Sequence, residues 1–136
     1  VSRRRCAPHA AQRGVAAIEF GLVFIALFVV LYGLATFGSV FYTRHQITRA
    51  AADGARAAAM YAAPTEAQIQ GVVRDALALP LADAPGLEIS ATTASDPVVV
   101  TVRYAYRQNA LLPLLPLADR FVPETLQARA SSARPS

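Results

Sequence analysis

Lysine is absent from this chain of 136 residues, and all 13 of its basic residues are arginine. Charge is scarce as well: 16% of residues are charged, against roughly 25% in an average soluble domain. With so much alanine beside it, the arginine-only set reads as codon composition rather than a functional choice. A single cysteine, Cys6, excludes an intrachain disulfide and with it a disulfide-stapled scaffold. Cys6 also precedes the long apolar run, which argues against a lipid-bearing cysteine. The two histidines, His9 and His45, lie far apart. The acids are scattered, and no cluster has metal-ligand spacing. There is no glycine-rich phosphate loop and no nucleophile–base pair. These absences predict a non-enzyme without cofactor, metal or small-molecule substrate. The length indicates one domain and excludes a large enzyme. The formal net charge of +4 leaves nucleic-acid binding open until the position of the charge is known.

What the chain does have is one long apolar run. From Phe20 to Thr43 there are 24 residues without a formal charge and without proline. A helix needs about 20 apolar residues to span a bilayer. A buried core helix is the competing reading, but the rest of the chain is too short to wrap such a run on all sides. The apolar region of a secretory signal is shorter, about 7–15 residues. Gly21, Gly33 and Gly38 are tolerated in a membrane helix, and Tyr42 suits the outer aromatic belt. Arg3, Arg4, Arg5 and Arg13 precede the run with no acid among them. On the other side Arg44, Arg49 and Arg56 are offset by Asp53. The positive-inside rule therefore puts the N-terminus in the cytoplasm. Residues 1–14 are expected to be a basic, irregular cytoplasmic leader, and 15–43 a single-pass transmembrane helix.

Beyond the run, the alanine-rich stretch predicts a helical extension over 44–63. Arg49 with Asp53 and Asp53 with Arg56 are spaced for surface pairs, and Gly54 is the soft spot. Pro64 stops the helix. Thr65 and Gln68 form a capping box, and Ile69, Val72, Val73, Ala76 and Leu77 share one face of a helix over 66–78. Leu87, Ile89 and Ala91 alternate with polar residues. Val98–Arg107 is the strongest strand pattern, with Val98, Val100, Val102, Tyr104 and Tyr106 on one face. Asp96-Pro97 makes the two a hairpin. Leu111–Leu117 is too rich in proline for a strand. It reads either as a connection folded over the sheet, which is favoured, or as an exposed apolar patch for a partner or a membrane surface. A third strand is expected at 124–131 and a frayed tail after it. Arg103 and Arg107 read as a solvated strand face. The fold class is therefore α+β: a long N-terminal transmembrane helix with its extension, one further helix, and a small three-stranded antiparallel sheet. Residues 64–136 form a small extracytoplasmic domain.

One acid, Glu19, interrupts the start of the membrane helix, and Gly14 lies five residues before it. An acid within a membrane helix is costly, on the order of 2.5–3.5 kcal/mol for Asp at the centre, and such residues are usually paired and functional. Near the helix start the cost falls, and the helix dipole favours negative charge. A plain first-turn Glu at the headgroup boundary is the simpler reading. The junction Arg13-Gly14-Val15-Ala16-Ala17-Ile18-Glu19-Phe20 resembles that of type IV pilins and pseudopilins. Their basic leader ends in glycine and is cut by a membrane-embedded prepilin peptidase. The resemblance implies cleavage between Gly14 and Val15, which makes Glu19 the fifth residue of the mature chain. It also implies that Glu19, followed by Phe20, serves recognition and assembly by pairing with a new α-amino group inside a fibre core.

The match sharpens over residues 13–59. Ala17-Ile18-Glu19-Phe20, Gly33, Phe37-Gly38, Tyr42, Arg44-His45-Gln46 and Ala51-Ala52-Asp53-Gly54-Ala55-Arg56 resemble the TadE-like family, pseudopilin components of Tad (Flp) pilus systems. Ser39 and Val40 depart from it, standing where an acid or arginine often follows the Phe-Gly pair. The resemblance implies a pilin-like structural and assembly subunit in the inner membrane. Its partners would be the prepilin peptidase, other pilins or pseudopilins and Tad assembly proteins. The alternative is an uncleaved single-span anchor displaying a small binding domain. Small residues four apart, Ala17 with Gly21, Ala35 with Ser39, and Gly54 with Ala50 and Ala58, allow close helix packing. An alanine-rich chain also yields such pairs by chance. Gly33 and Gly38 add to this packing surface. With four of the 13 arginines in the first 14 residues, the remaining nine balance nine acids. The positive charge belongs to the leader, so no nucleic-acid partner is expected.

Overall fold

The computed structural model describes residues 10–116 and 118–134, with side chains from Gly14 onward. Arg3, Arg4, Arg5, Cys6 and Leu117 lie outside the described residues. The order of elements is α1 (Ala10–Met60), α2 (Glu66–Ala76), β1 (Leu87–Thr92), β2 (Val98–Tyr104) and β3 (Leu126–Ser132). This is the α+β arrangement expected from the sequence: a long apolar helix, one further helix and a three-stranded antiparallel sheet.

The chain divides into two compact units between Ala35 and Thr36. In the first, α1 is helical from Ala10, so the expected irregular leader is helical over its last residues. Ala10, Ala11, Gln12 and Arg13 are all strong helix formers, and no proline follows to stop them. An 18-residue window of α1 has a mean hydropathy of 2.6, and none of it is buried. Among the described residues, α1 is the one helix long and apolar enough to cross a membrane. Residues 15–35 would rise ~32 Å at 1.5 Å per residue, the thickness of a bilayer's hydrocarbon core.

The second unit starts within α1 and holds the core. Ile47, Ala50, Ala51, Ala55 and Ala58 of α1 pack with Ile69 and Val73 of α2 and Val98, Val100 and Val102 of β2. The small side chains let the two helices and the sheet approach closely. α1 ends at Met60, and Pro64 bars residue 63 from helical geometry. Thr65 then caps α2 as its pattern predicts. Its hydroxyl accepts from the Gln68 N–H at 3.4 Å, and the Gln68 side chain accepts from the Thr65 N–H at 3.1 Å. α2 stops at Ala76, short of 78, because Leu77 turns extended and its N–H bonds the Arg74 carbonyl.

The sheet order is β1-β2-β3, antiparallel throughout. Ile89 pairs with Val102, which pairs with Ala128 on its other side. Alternation sends Val98, Val100, Val102, Tyr104, Leu126 and Ala128 into the core. β2 ends at Tyr104 rather than at Arg107. The Ala105 N–H still donates to the Gly86 carbonyl at 2.9 Å, one register step beyond the Leu87–Tyr104 pair, and Tyr106 remains fully buried. The tail after β3 is tied down at Arg134, contrary to the expected fraying. Its N–H donates to Asp96 Oδ1 at 3.2 Å and its guanidinium to the Thr93 carbonyl at 2.7 Å, closing over the hairpin turn.

Gly54 is where α1 touches its neighbours most closely. A Cβ placed there would lie 2.5 Å from Val73 Cγ2, with Val100 at 3.6 Å and Ile69 at 3.7 Å. Val73 is buried and β-branched, so it has little room to yield. In Gly54→Ala a helix-propensity gain of about 1 kcal/mol is opposed by overpacking of about 1–3 kcal/mol. The net effect is expected to be neutral to destabilising. Gly71 in α2 is exposed with nothing near its Cβ position, so Gly71→Ala keeps the full gain of about 1 kcal/mol. Chemical denaturation of the two variants should separate them; a stabilised Gly54→Ala would contradict this packing.

Candidate assembly site on the N-terminal helix

The residues singled out in the sequence fall on both units. Gly14, Val15, Ala17, Glu19 and Phe20 are all exposed on the first turns of the described apolar helix. Val15 and Glu19 are one helical turn apart and so share a face. Phe20 stacks on Phe24 with ring centroids 6.2 Å apart, and Phe28 on Tyr32 at 6.3 Å. Phe20 is 72% exposed and Ile18 74%. Gly14, Gly21, Gly33 and Gly38 have no atom within 4 Å of an added Cβ, apart from the helix's own backbone nearby. The fold does not ask for glycine at these four positions. Gly54 is different: its close approach is to α2 and β2 of its own domain.

On the second unit, a polar stripe marks where α1 joins the domain. Thr36 and Thr43 are buried, and Ser39 lies between them. The Ser39 hydroxyl donates to the Thr36 carbonyl at 2.7 Å, and the Thr43 hydroxyl to the Ser39 carbonyl at 2.9 Å. Ser39 Oγ also meets the Tyr106 hydroxyl at 2.5 Å. A serine has one hydroxyl proton, and Thr36 takes it, so Tyr106 is the donor to Ser39. Among the described residues, Thr36 Oγ1 is the buried side-chain polar atom without a hydrogen-bond partner. The Ser39–Tyr106 bond is absent from the sequence reading. Its signal was the spacing of Thr36, Ser39 and Thr43 along one face of an otherwise apolar helix.

Arg107 and Arg103 part company. Arg103 stays on the open face of the sheet, beside Glu88 and Gln127 in two shallow depressions of about 430 and 560 Å³. Arg107 is exposed too, but its guanidinium is tied to the chain and donates to the carbonyls of Asp119 at 3.2 Å and Val122 at 3.0 Å. The Leu/Pro segment is split too: Leu111 and Leu114 pack on the core, while Leu115 is half exposed.

The Tyr104 phenol is held above its ordinary value of 10.0 by burial and then by the neighbouring Tyr106. The folded state holds this proton more tightly than the unfolded chain. The stabilisation is therefore complete below about pH 10 and is lost as pH rises through the raised folded value. The Tyr104 hydroxyl also donates to the Asn109 carbonyl at 3.0 Å, a bond that deprotonation removes. Thermal unfolding should show a falling midpoint above pH 10, and Tyr104→Phe should flatten that fall. An equal alkaline slope in the variant would assign the effect elsewhere.

Residues 14–56 match the family model described as TadE-like protein. The match begins at Gly14, includes Glu19, and runs along α1 through the part that packs on the domain. It is the family whose pattern the residues resemble, and it covers about a third of the chain. No curated protein and no solved structure matches the chain.

Proposed function

We propose that this chain, TadE-like over residues 14–56, is a pseudopilin: a structural and assembly subunit of a Tad pilus and its secretion machinery. The observation that carries the reading is the match itself, which starts at the glycine of the leader junction and takes in Glu19. Residues 15–35 of α1 would lie in the inner membrane, with the leader in the cytoplasm and residues 36–136 outside. Prepilin peptidase would cut between Gly14 and Val15, leaving the new α-amino group one turn before Glu19. In a dry bundle of helices a carboxylate at this position needs a partner, and the α-amino group of a neighbouring subunit supplies one of opposite charge. Gly21, Gly33 and Gly38 lack bulk where the fold leaves open space, and Ala17 is small and exposed, which supports close packing on other pilin helices. The role is structural rather than catalytic.

Glu19→Ala tests this role. Crosslinking to partner pilins in membranes should fall strongly, while the outer domain unfolds at an unchanged temperature. Undiminished crosslinking would remove Glu19 from assembly and favour a simple single-span anchor displaying the outer domain.

A further inference from the structure

The two edges of the sheet are not alike. The bond from the Ala105 N–H to the Gly86 carbonyl fixes the phase of the ladder, because hydrogen-bonded and non-bonded pairs alternate between antiparallel strands. Val98, Val100, Val102 and Tyr104 therefore turn their backbone groups toward β3, where their partners are Ser132, Ala130, Ala128 and Leu126. The N–H and C=O groups of Gln127, Arg129 and Ser131 point away from the sheet, and none has a hydrogen-bond partner among the described residues. The outer edge of β1 is engaged instead. Its Leu87 N–H donates to the Ala84 carbonyl at 3.1 Å, its Ile89 carbonyl accepts from the Gln70 side chain at 3.4 Å, and α2 packs beside it. Among the described helices and strands, β2 is the one that lies beside β3. A straight edge of this length without proline is a template for a further strand.

The side chains along this edge say which strand fits. Gln127, Arg129 and Ser131 are exposed on the open face, while Leu126 and Ala128 are buried on the other. Arg129 pairs with Thr101 and Arg103 with Gln127, so the two arginines are diagonal neighbours on one face. Neither makes an ion pair with a described residue. The one acid of this face, Glu88, lies on β1, the strand furthest from the edge. A second copy fits poorly: full antiparallel overlap of two β3 strands sets Arg129 against Arg129, and like charges directly opposite are destabilising. An acid in that place is attracted by Arg129 and by Arg103 behind it.

We propose that the outer edge of β3 is a strand-addition site for an extended segment of another protein, with an acidic residue opposite Arg129 and apolar residues at the alternate positions beside Ala128 and Ala130. Backbone bonds to Gln127, Arg129 and Ser131 supply the affinity, and the arginines supply the choice of partner. The proposal does not rest on the pseudopilin reading, since it needs neither leader cleavage nor Glu19.

The test extends the full chain beyond Ser136 by a Gly/Ser linker of about twelve residues, which reaches ~20 Å, and a probe strand as long as β3. The probe alternates valine with threonine and carries glutamate at its centre; a control carries arginine there. Amide exchange is resolved to single residues at one copy per nanodisc. Without the extension, Ala128 and Ala130 should exchange slowly, and Gln127, Arg129 and Ser131 freely. The glutamate probe should slow those three amides about tenfold, as an effective concentration ten times the dissociation constant does, and the arginine probe should not. Arg129→Glu should reverse the preference. Equal protection by both probes would overturn the acidic preference, and protection by neither would overturn the site. Protection without a probe would overturn it too, by assigning the edge to the chain itself, or to a second copy where it needs several copies per disc.

Discussion

Gly14→Leu should abolish removal of the leader, leaving the full-length chain in membranes that contain active prepilin peptidase. The expected change is from essentially complete to essentially absent processing. It should come without any loss of stability, which makes it diagnostic. Gly14 is exposed, has no atom within 4 Å of an added Cβ, and has no positive φ. Within a helix, glycine is less favourable than alanine by about 1 kcal/mol. Nothing in the fold repays that cost at Gly14, which fits the proposed encounter with a peptidase. A protease that binds the junction in extended form and tolerates no side chain there would provide such an encounter. A simple membrane anchor would accept leucine at this position without consequence. Processing of Gly14→Leu at the parental rate would therefore favour the anchor.

Tyr106→Ala should be the most damaging single change in the unit from Thr36 onward, with a loss of about 3–5 kcal/mol for truncating a fully buried aromatic. Whole-domain stabilities are about 5–15 kcal/mol, so much of the protein would unfold at moderate temperature. Tyr106 is fully buried and its ring centroid lies 6.4 Å from that of Tyr104. Its hydroxyl joins the connection after β2 to Ser39 on α1. The direction of that bond predicts an asymmetry. In Tyr106→Phe the donor is removed and Ser39 keeps its bond to the Thr36 carbonyl, so the cost is about 0.5–1.5 kcal/mol. In Ser39→Ala the buried Tyr106 hydroxyl loses its acceptor, and the cost rises to about 1–3 kcal/mol. Denaturant unfolding of the three variants should rank them Tyr106→Ala, Ser39→Ala, Tyr106→Phe from largest loss to smallest. A Tyr106→Phe loss larger than that of Ser39→Ala would reverse the assigned donor.

The elements that were legible in the sequence are those whose cause is local. The apolar run needs no partner to be helical. Thr65 and Gln68 carry their own hydrogen bonds, and the alternation of Val98–Tyr104 needs only a sheet with one buried face. The surface pairs of Asp53 with Arg49 at 4.0 Å and Arg56 at 3.8 Å follow from helical spacing alone. They are exposed and contribute little.

What the sequence reading missed depends on meetings of distant residues. Ser39 reads in the sequence as a departure from a family pattern, and its partner Tyr106 lies 67 positions further along the chain. Gly54 reads in the sequence as a soft spot of the helical extension and one more small residue, four from Ala50 and Ala58, because nothing local marks a close neighbour there. Its neighbours Val73 and Val100 come from α2 and β2. Arg107 continues the alternation of β2, but the strand has ended and its guanidinium serves two carbonyls more than ten residues away. Arg134 falls in a tail whose sequence predicts fraying, since its acceptors at Thr93 and Asp96 lie across the hairpin. At the candidate site the residue types were readable, and the exposure of Gly14 and Glu19 and the open space beside Gly21 show only that the fold makes no use of them.

N-terminal sequencing of the unaltered protein, extracted from membranes with and without prepilin peptidase, tests the central claim most directly. The pseudopilin reading predicts a chain beginning at Val15 when the peptidase is active, and an intact leader when it is absent. An intact leader in both preparations, with a peptidase shown to be active on another pilin in the same cells, would contradict it.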